Sequence, residues 1–376
     1  MASNGSAVAR DGSGRVVFVS GALPGELVRA RITAEHARHA AGHAVEVLEA
    51  SPDRAVPPCG HVSDGCGGCQ WQHITPDAQR RFKADIIAEA IRRIGRVEPP
   101  PLQPTVELGP WAYRTTLRAG VGEDGRAGLR ALRSNDVVPV PGCLVIHPLL
   151  ADLVVDGRYP GAEEVVLRCG ARTGERLAAT TPGGIDAHLP ADVGRSHYRE
   201  EAAGRLWRIS ARSFFQTRPD GVDALAALVT GAAAATGRPG RALDLYSGVG
   251  LFAGVLAERG WSVTAVEGAA ASVADARHNL RDLPVLIRRA DVTRWRAQPA
   301  DLVVADPSRN GLGRAGVAVA AASGAARLVL VSCDAGSLGR DAGLLRAAGY
   351  RASSVTPVDL FPHTFHVEVV TVFDRA

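Results

Sequence analysis

The side chain with the clearest chemical potential, Cys333, ends the run Leu328-Val-Leu-Val-Ser-Cys-Asp334. A continuous apolar, β-branched run of this length suits a buried central strand of a parallel sheet. Such sheets bind ligands beyond the carboxyl ends of their strands. A cysteine there is either a packed small hydrophobe or a nucleophile. Three more cysteines, Cys59, Cys66 and Cys69, follow the spacing C-x6-C-x2-C among glycines, and Cys143 in Val140-Pro-Gly-Cys is the best candidate for a fourth thiolate. A zinc ribbon would bring two C-x2-C knuckles. Three clustered cysteines and one distant one fit a 4Fe–4S cluster better than zinc. The sixth cysteine, Cys169, reads as a buried structural thiol, and His61 and His73 as solvated or hydrogen-bonded rather than ligating.

Acidic residues at strand ends form the second set. The strand from Arg241 runs into Asp244-Leu-Tyr246-Ser-Gly248-Val-Gly250, of the form D-x-x-x-G-x-G. A strand, a glycine turn and a helix let the backbone approach a ligand closely. The turn is shorter than the G-x-G-x-x-G of dinucleotide binders. Glu267 ends the next strand, where it can accept both hydroxyls of a ribose. Asp291 and Asp306-Pro307 follow at successive strand ends. Together these favour S-adenosylmethionine, with its sulfonium and amino-acid charges, over a nicotinamide nucleotide.

These residues need a scaffold. The 376-residue chain is long enough for two or three domains, with 46% hydrophobic residues and a net charge of only +4. Its one lysine, Lys83, leaves nearly all positive charge to arginine, a bias that reads as codon usage. No apolar run approaches the roughly 20 residues of a bilayer span. The N-terminus lacks a signal architecture, so a cytoplasmic location and reduced thiols are expected.

Residues 1–52 alternate over Arg15–Val19, Glu26–Ile32 and His43–Leu48 with a Leu23-Pro-Gly turn, as in a small oligonucleotide-binding (OB-like) β-barrel. Residues 53–110 hold the cysteine loop and a helix from Pro76 to about Ile94, followed by a proline-rich break. Residues 111–212 read as a central β-rich domain containing Cys143. Residues 213–376 begin with a helix from Pro219 and alternate strands with helices as a doubly wound, Rossmann-like α/β sheet. Ser354–Leu360 and His366–Phe373 are expected as its closing hairpin.

The ordered motifs resemble the RNA uracil-5-methyltransferase family, in its iron–sulfur branch acting on 23S ribosomal RNA. They are Pro24-Gly-Glu26 of a TRAM domain, the cysteine loop with Cys143, Phe214-Phe-Gln216, Asp244–Gly250, Asp306-Pro307, Val331-Ser-Cys333 and Pro362–Glu368. The resemblance implies a class I methyltransferase in which Cys333 adds to uracil carbon 6 and Glu368 removes the carbon-5 proton. It assigns adenosylmethionine to Gln216, Tyr246, Gly248, Gly250, Leu251, Glu267, Asp291 and Asp306. Phe214 would stack on a flipped uracil, and Arg309 would contact the RNA. Ser308, Arg218, Asp334 and Leu251 depart from the family pattern, and the TRAM segment reads as lacking its first strand. The expected product is 5-methyluridine in RNA, made by a monomer that does not engage a membrane. The alternatives are a transfer RNA T-loop methyltransferase, a paralogue acting on a small uracil compound, and a catalytically silent RNA-binding factor. The cysteine loop argues against the first, and Cys333 with Glu368 against the last.

Overall fold

The structure, a computed structural model, describes residues 1–132, 134–183 and 189–376. Its N-terminal sheet has four strands: Ala7–Arg10, Val16–Ser20, Leu27–Glu35 and His39–Glu49. Ala7–Arg10 pairs antiparallel with Val16–Val19, so a strand precedes the first one expected from sequence. Its short A-V-A-R alternation is too brief to signal a strand alone, and pairing supplies what pattern does not. Glu26 accepts from Leu23 N at 2.8 Å and from Arg54 Nη2 at 2.7 Å, so the Pro-Gly-Glu turn is fixed to the following segment.

The helix Pro76–Arg93 starts with Pro at its first position and buries Phe82, Ile86, Ile87, Ala90 and Ile91. This face packs on the helix Ala335–Ala347 of the C-terminal unit, where Gly339 meets the backbone of Ala90. The helix therefore belongs to the same core as the C-terminal sheet. Six central strands, among them Thr116–Val121 and Glu164–Cys169, form a second sheet with its own core. Cys169 ends one of these strands, fully buried as expected. The hairpin His197–Ala202/Arg205–Ser210 instead sends Tyr198, Trp207 and Ile209 into the catalytic core.

The C-terminal sheet has seven strands: β1 (Arg241–Leu245), β2 (Ser262–Glu267), β3 (Val285–Arg289), β4 (Leu302–Ala305), β5 (Arg327–Ser332), β6 (Tyr350–Pro357) and β7 (Val369–Arg375). Their order is β3-β2-β1-β4-β5-β7-β6, with only β7 antiparallel to its neighbours. The reversal of direction on either side of β1 opens a crevice at the carboxyl ends of β1 and β4. The closing hairpin starts earlier and ends later than expected: Tyr350 pairs with Arg375, and the ladder stops at Pro357–Val369. Pro362 donates no amide hydrogen, and residues 359–368 form a strap rather than strand. Glu368 thus precedes β7 instead of lying within the hairpin. Among the described residues no helix is long and apolar enough to cross a membrane.

Candidate active site

The turn after β1 is built for close backbone approach. Tyr246 has φ +60° and Gly250 φ +97°, and a Cβ on Gly250 would come within 2.6 Å of the Leu280 side chain. Only glycine meets both demands at position 250. Glu267 bridges the next turn, accepting from Gly248 N at 3.0 Å and Ala269 N at 2.6 Å. Asp244 accepts from Ala253 N at 2.8 Å, while its Oδ1 is buried without a partner. Burial raises its carboxyl well above the usual range. Phe214, Gln216, Tyr246, Gly248, Leu251 and Asp306 line one cavity with this turn. Five residues expected around a donor therefore surround a common space, and Phe214, expected to meet the base, lines it with them. Glu267 and Gly250 flank it along the turn. Asp291 stands apart: it is exposed and turns inward on Thr293, accepting from its N at 2.9 Å and its Oγ1 at 2.7 Å.

Across the crevice, Cys333 follows the end of β5, where Ser332 pairs with Val369, so Glu368 precedes the residue beside that strand end. Asp306 follows β4 and accepts from Gln216 Nε2 at 3.3 Å. Burial raises the Asp306 carboxyl to about 7, and it raises Glu368 well above the usual range with a further push from the charge of Asp306. Repulsion between the two buried acids favours one of them staying protonated over both being charged. Burial, then the charges of Glu368 and Asp306, push the Cys333 thiol up to about 12. Glu368 is 3% exposed, and its Oε1 has no hydrogen-bond partner. Cys333, the buried Glu368 carboxyl and the cavity lined by Gln216 and Asp306 thus lie near one another at the carboxyl ends of β4 and β5, an arrangement suited to covalent activation of an electron-poor ring. Phe214 is 63% exposed and lines the cavity beside Gln216. Arg309 is exposed nearby and lowers the pull of the two acids on the thiol.

The departures from the family pattern have structural partners. Arg218 is buried, pairs with Asp220 at 2.6 Å and lies 4.7 Å over the Tyr113 ring, with Nη1 unpartnered. Asp334 caps the helix Ala335–Ala347 by accepting from Ser337 N at 2.7 Å.

Cys59, Cys66, Cys69 and Cys143 line a single small cavity, together with Gly68, Gln72 and Leu129. All four are free thiols. Gly68 N–H donates to Cys66 Sγ at 3.5 Å, and a Cβ on Gly67 would meet the Arg130 carbonyl at 2.8 Å. Burial pushes the Cys69 thiol up to about 11. His61 is hydrogen-bonded, as expected: its Nε2 stands 3.0 Å from the Gly142 carbonyl, beside Cys143. Among the described residues no three His, Cys, Asp or Glu side chains converge closely enough to hold one metal ion.

A TRAM domain model matches residues 1–45. An uncharacterised RNA methyltransferase of Streptomyces avermitilis is 36% identical, across all of this chain and 96% of its own length. The 23S rRNA (uracil(1939)-C(5))-methyltransferase RlmD of Methylococcus capsulatus is 34% identical, across 96% of this chain and 93% of its own. The chain belongs to the RNA uracil-5-methyltransferase family. In fold it is similar to the tRNA (uracil-54, C5)-methyltransferase of Pyrococcus abyssi, solved with S-adenosyl-L-homocysteine. The TM-score is 0.73 at 22% identity, over 98% of each chain.

For this family member, the sequence reading missed the residues that hold the strap 359–366. Lys83 Nζ donates to Asp359 Oδ1 and to the Phe361 carbonyl, both at 2.8 Å. Gln79 Oε1 accepts from His363 N at 2.7 Å, and Trp71 N donates to the His363 carbonyl at 2.8 Å. Tyr113 OH donates to the Pro362 carbonyl at 3.2 Å, and Trp111 stacks on His363 at 4.1 Å. One signal was present: a single lysine in a chain otherwise using arginine fits a place where a compact ammonium is required.

Proposed function

We propose that this protein methylates carbon 5 of a uridine in RNA, with S-adenosylmethionine as donor and Cys333 as covalent catalyst. The observation carrying this reading is the meeting of Cys333, Glu368 and Asp306 at the ends of β4, β5 and β7 beside the donor cavity. Bound adenosylmethionine supplies an electrophilic methyl group. Uracil carbon 5 is a poor nucleophile; Cys333, after giving its proton to solvent with the positive charge of Arg309 offsetting part of the acids' effect, adds its sulfur to carbon 6 and turns the ring into an enolate that is nucleophilic at carbon 5. Once carbon 5 carries the methyl, the Glu368 carboxylate takes its proton. The electron pair re-forms the 5,6 double bond, and the carbon–sulfur bond breaks to return the thiolate. Gln216, Tyr246, Gly248, Gly250, Leu251, Glu267 and Asp306 form the donor site, with Asp291 reaching it by turning from Thr293. Phe214 stacks on the uracil after the base leaves the RNA stack, and Arg309 meets the RNA near it.

We further infer a 4Fe–4S cluster on Cys59, Cys66, Cys69 and Cys143. The four thiols share a cavity, and three clustered cysteines with one distant one suit a four-thiolate cluster better than the two C-x2-C knuckles of a zinc ribbon. Gly68 lines this cavity beside Cys66 and adds no side chain to it. Such a cluster would cross-link the cysteine loop to the central sheet. Residues 1–52 would hold RNA, with 53–110 as cysteine loop and helix, 111–212 as the central β-rich domain and 213–376 as the catalytic one. The substrate reading is 23S ribosomal RNA, met in the cytoplasm by a monomer.

RNA containing 5-fluorouridine is the direct test, because fluorine cannot leave as a proton does. A covalent protein–RNA complex should form with the native protein and vanish with Cys333→Ala; a complex persisting in Cys333→Ala would refute the nucleophile. Mapping 5-methyluridine in ribosomal and transfer RNA from cells with and without the protein checks the substrate class, and a loss confined to transfer RNA would overturn the ribosomal reading.

A further inference from the structure

Glu368 has no side-chain partner that would aim its Oε1. Its direction is therefore set by its backbone. On one side that backbone is fixed by β7, where Val369 pairs with Ser332 and Pro357, and by Val358 N donating to the Glu368 carbonyl at 2.8 Å. On the other side it is continuous with the strap 359–366, which turns through His363 at φ +64°. That conformation is costly for a residue with a Cβ and persists only where its surroundings impose it.

The surroundings that impose it lie outside the catalytic sheet. Gln79, 1% exposed on the helix Pro76–Arg93, uses its whole amide. Its Nε2 donates to the Trp71 and Ile74 carbonyls at 3.0 and 2.8 Å, which orients its Oε1 toward His363 N. One turn along the same face, Lys83 is 3% exposed and holds both Asp359 and the Phe361 carbonyl. Two side chains of one helix therefore grip the strap at its start, middle and apex.

From this geometry we propose that Gln79 and Lys83 are positioning residues for proton abstraction, acting on Glu368 through the strap Asp359–His366. The inference rests on Glu368 being the base. Neither residue touches the donor cavity, so neither should contribute to donor binding or to the attack of Cys333. The step they govern is the last: the carbon-5 proton passes to the Glu368 carboxylate as the carbon–sulfur bond breaks. Misplacing a base by about 1 Å costs on the order of 10²-fold in rate.

The test uses the full-length protein with its cysteine site loaded, and ribosomal RNA from cells lacking the protein, tritiated at uracil carbon 5. Methyl transfer into the covalent complex and tritium release are followed in a single turnover. In Gln79→Met and Lys83→Met, methyl transfer should stay within about threefold of native while tritium release falls about 10²-fold, so methylated covalent RNA accumulates. Lys83→Met leaves a buried Asp359 unpaired, which destabilises the fold by itself. The double variant Lys83→Met/Asp359→Leu should recover thermal stability yet still accumulate the complex, because the bond to the Phe361 carbonyl stays lost. Methyl transfer and tritium release that change in equal proportion in the Gln79 and double variants would overturn the inference. The control is Glu368→Gln: if it holds the complex while the strap variants do not, the strap inference fails alone; if it turns over normally, the base assignment falls and this inference with it.

Discussion

Asp306→Asn tests the electrostatics of the site in the absence of ligands. Asp306 titrates at about 7 instead of 3.8 because its charge is buried. At 1.36 kcal/mol for each tenfold change, the ionised carboxylate costs the folded protein at most about 4 kcal/mol. The folded-state value is raised, so between pH 4 and 7 the folded protein binds more protons than the unfolded chain. Stability contributed by this group is therefore present at low pH and lost as pH rises through that window. Asparagine cannot ionise and escapes the loss, although Glu368 takes up part of the charge once its neighbour is neutral. The advantage of Asp306→Asn over the native protein should therefore widen by about 2 kcal/mol between pH 5 and pH 8. Urea unfolding of the ligand-free protein at the two pH values measures it. A difference that stays constant, or that narrows toward pH 8, would refute the buried-charge argument.

The same acids predict a proton linkage for the donor. Adenosylmethionine carries a positive sulfonium that favours ionised Asp306 and Glu368, so its binding at pH 6–7 should release protons, whereas the neutral thioether of S-adenosylhomocysteine should release fewer. Calorimetry in buffers of different ionisation enthalpy reads the difference, and equal release would contradict it. Protein purified without oxygen should be brown, and Cys143→Ser should bleach it; a colourless zinc-loaded protein would overturn the cluster. Phe214→Ala should weaken RNA binding by about 1–3 kcal/mol in a filter or fluorescence titration with no change in thermal stability, because the exposed ring packs on little else. Unchanged RNA affinity would remove Phe214 from the interface.

Much of this site is legible along the chain. The strand-ending acids Asp244, Glu267 and Asp306, the glycine turn and the strand before Cys333 are local patterns, and each records the period of a strand or the conformational freedom of a turn. Cysteine spacing likewise announces a shared site, since ligand loops are short-range objects. The last strand is harder. His366–Phe373 alternates like a strand, yet residues 359–368 leave the ladder because Pro362 and the grip of Lys83 and Gln79 hold them elsewhere. Asp291 shows another limit: its position at a strand end is clear, but only the structure shows that its carboxylate caps a local turn at Thr293.

The sequence by itself determined the alternation of strands and helices and the glycine turn, and it singled out the candidate thiol and acids, because these depend on residues close together along the chain. Only the tertiary structure decided that Glu368 comes beside the end of β5 that carries Cys333, that Cys143 joins a cysteine loop far earlier in the chain, and that a lysine remote in sequence holds the strap. Those relations are set by packing and by pairings such as that of buried Lys83 with Asp359, and neither leaves a periodic trace in the chain.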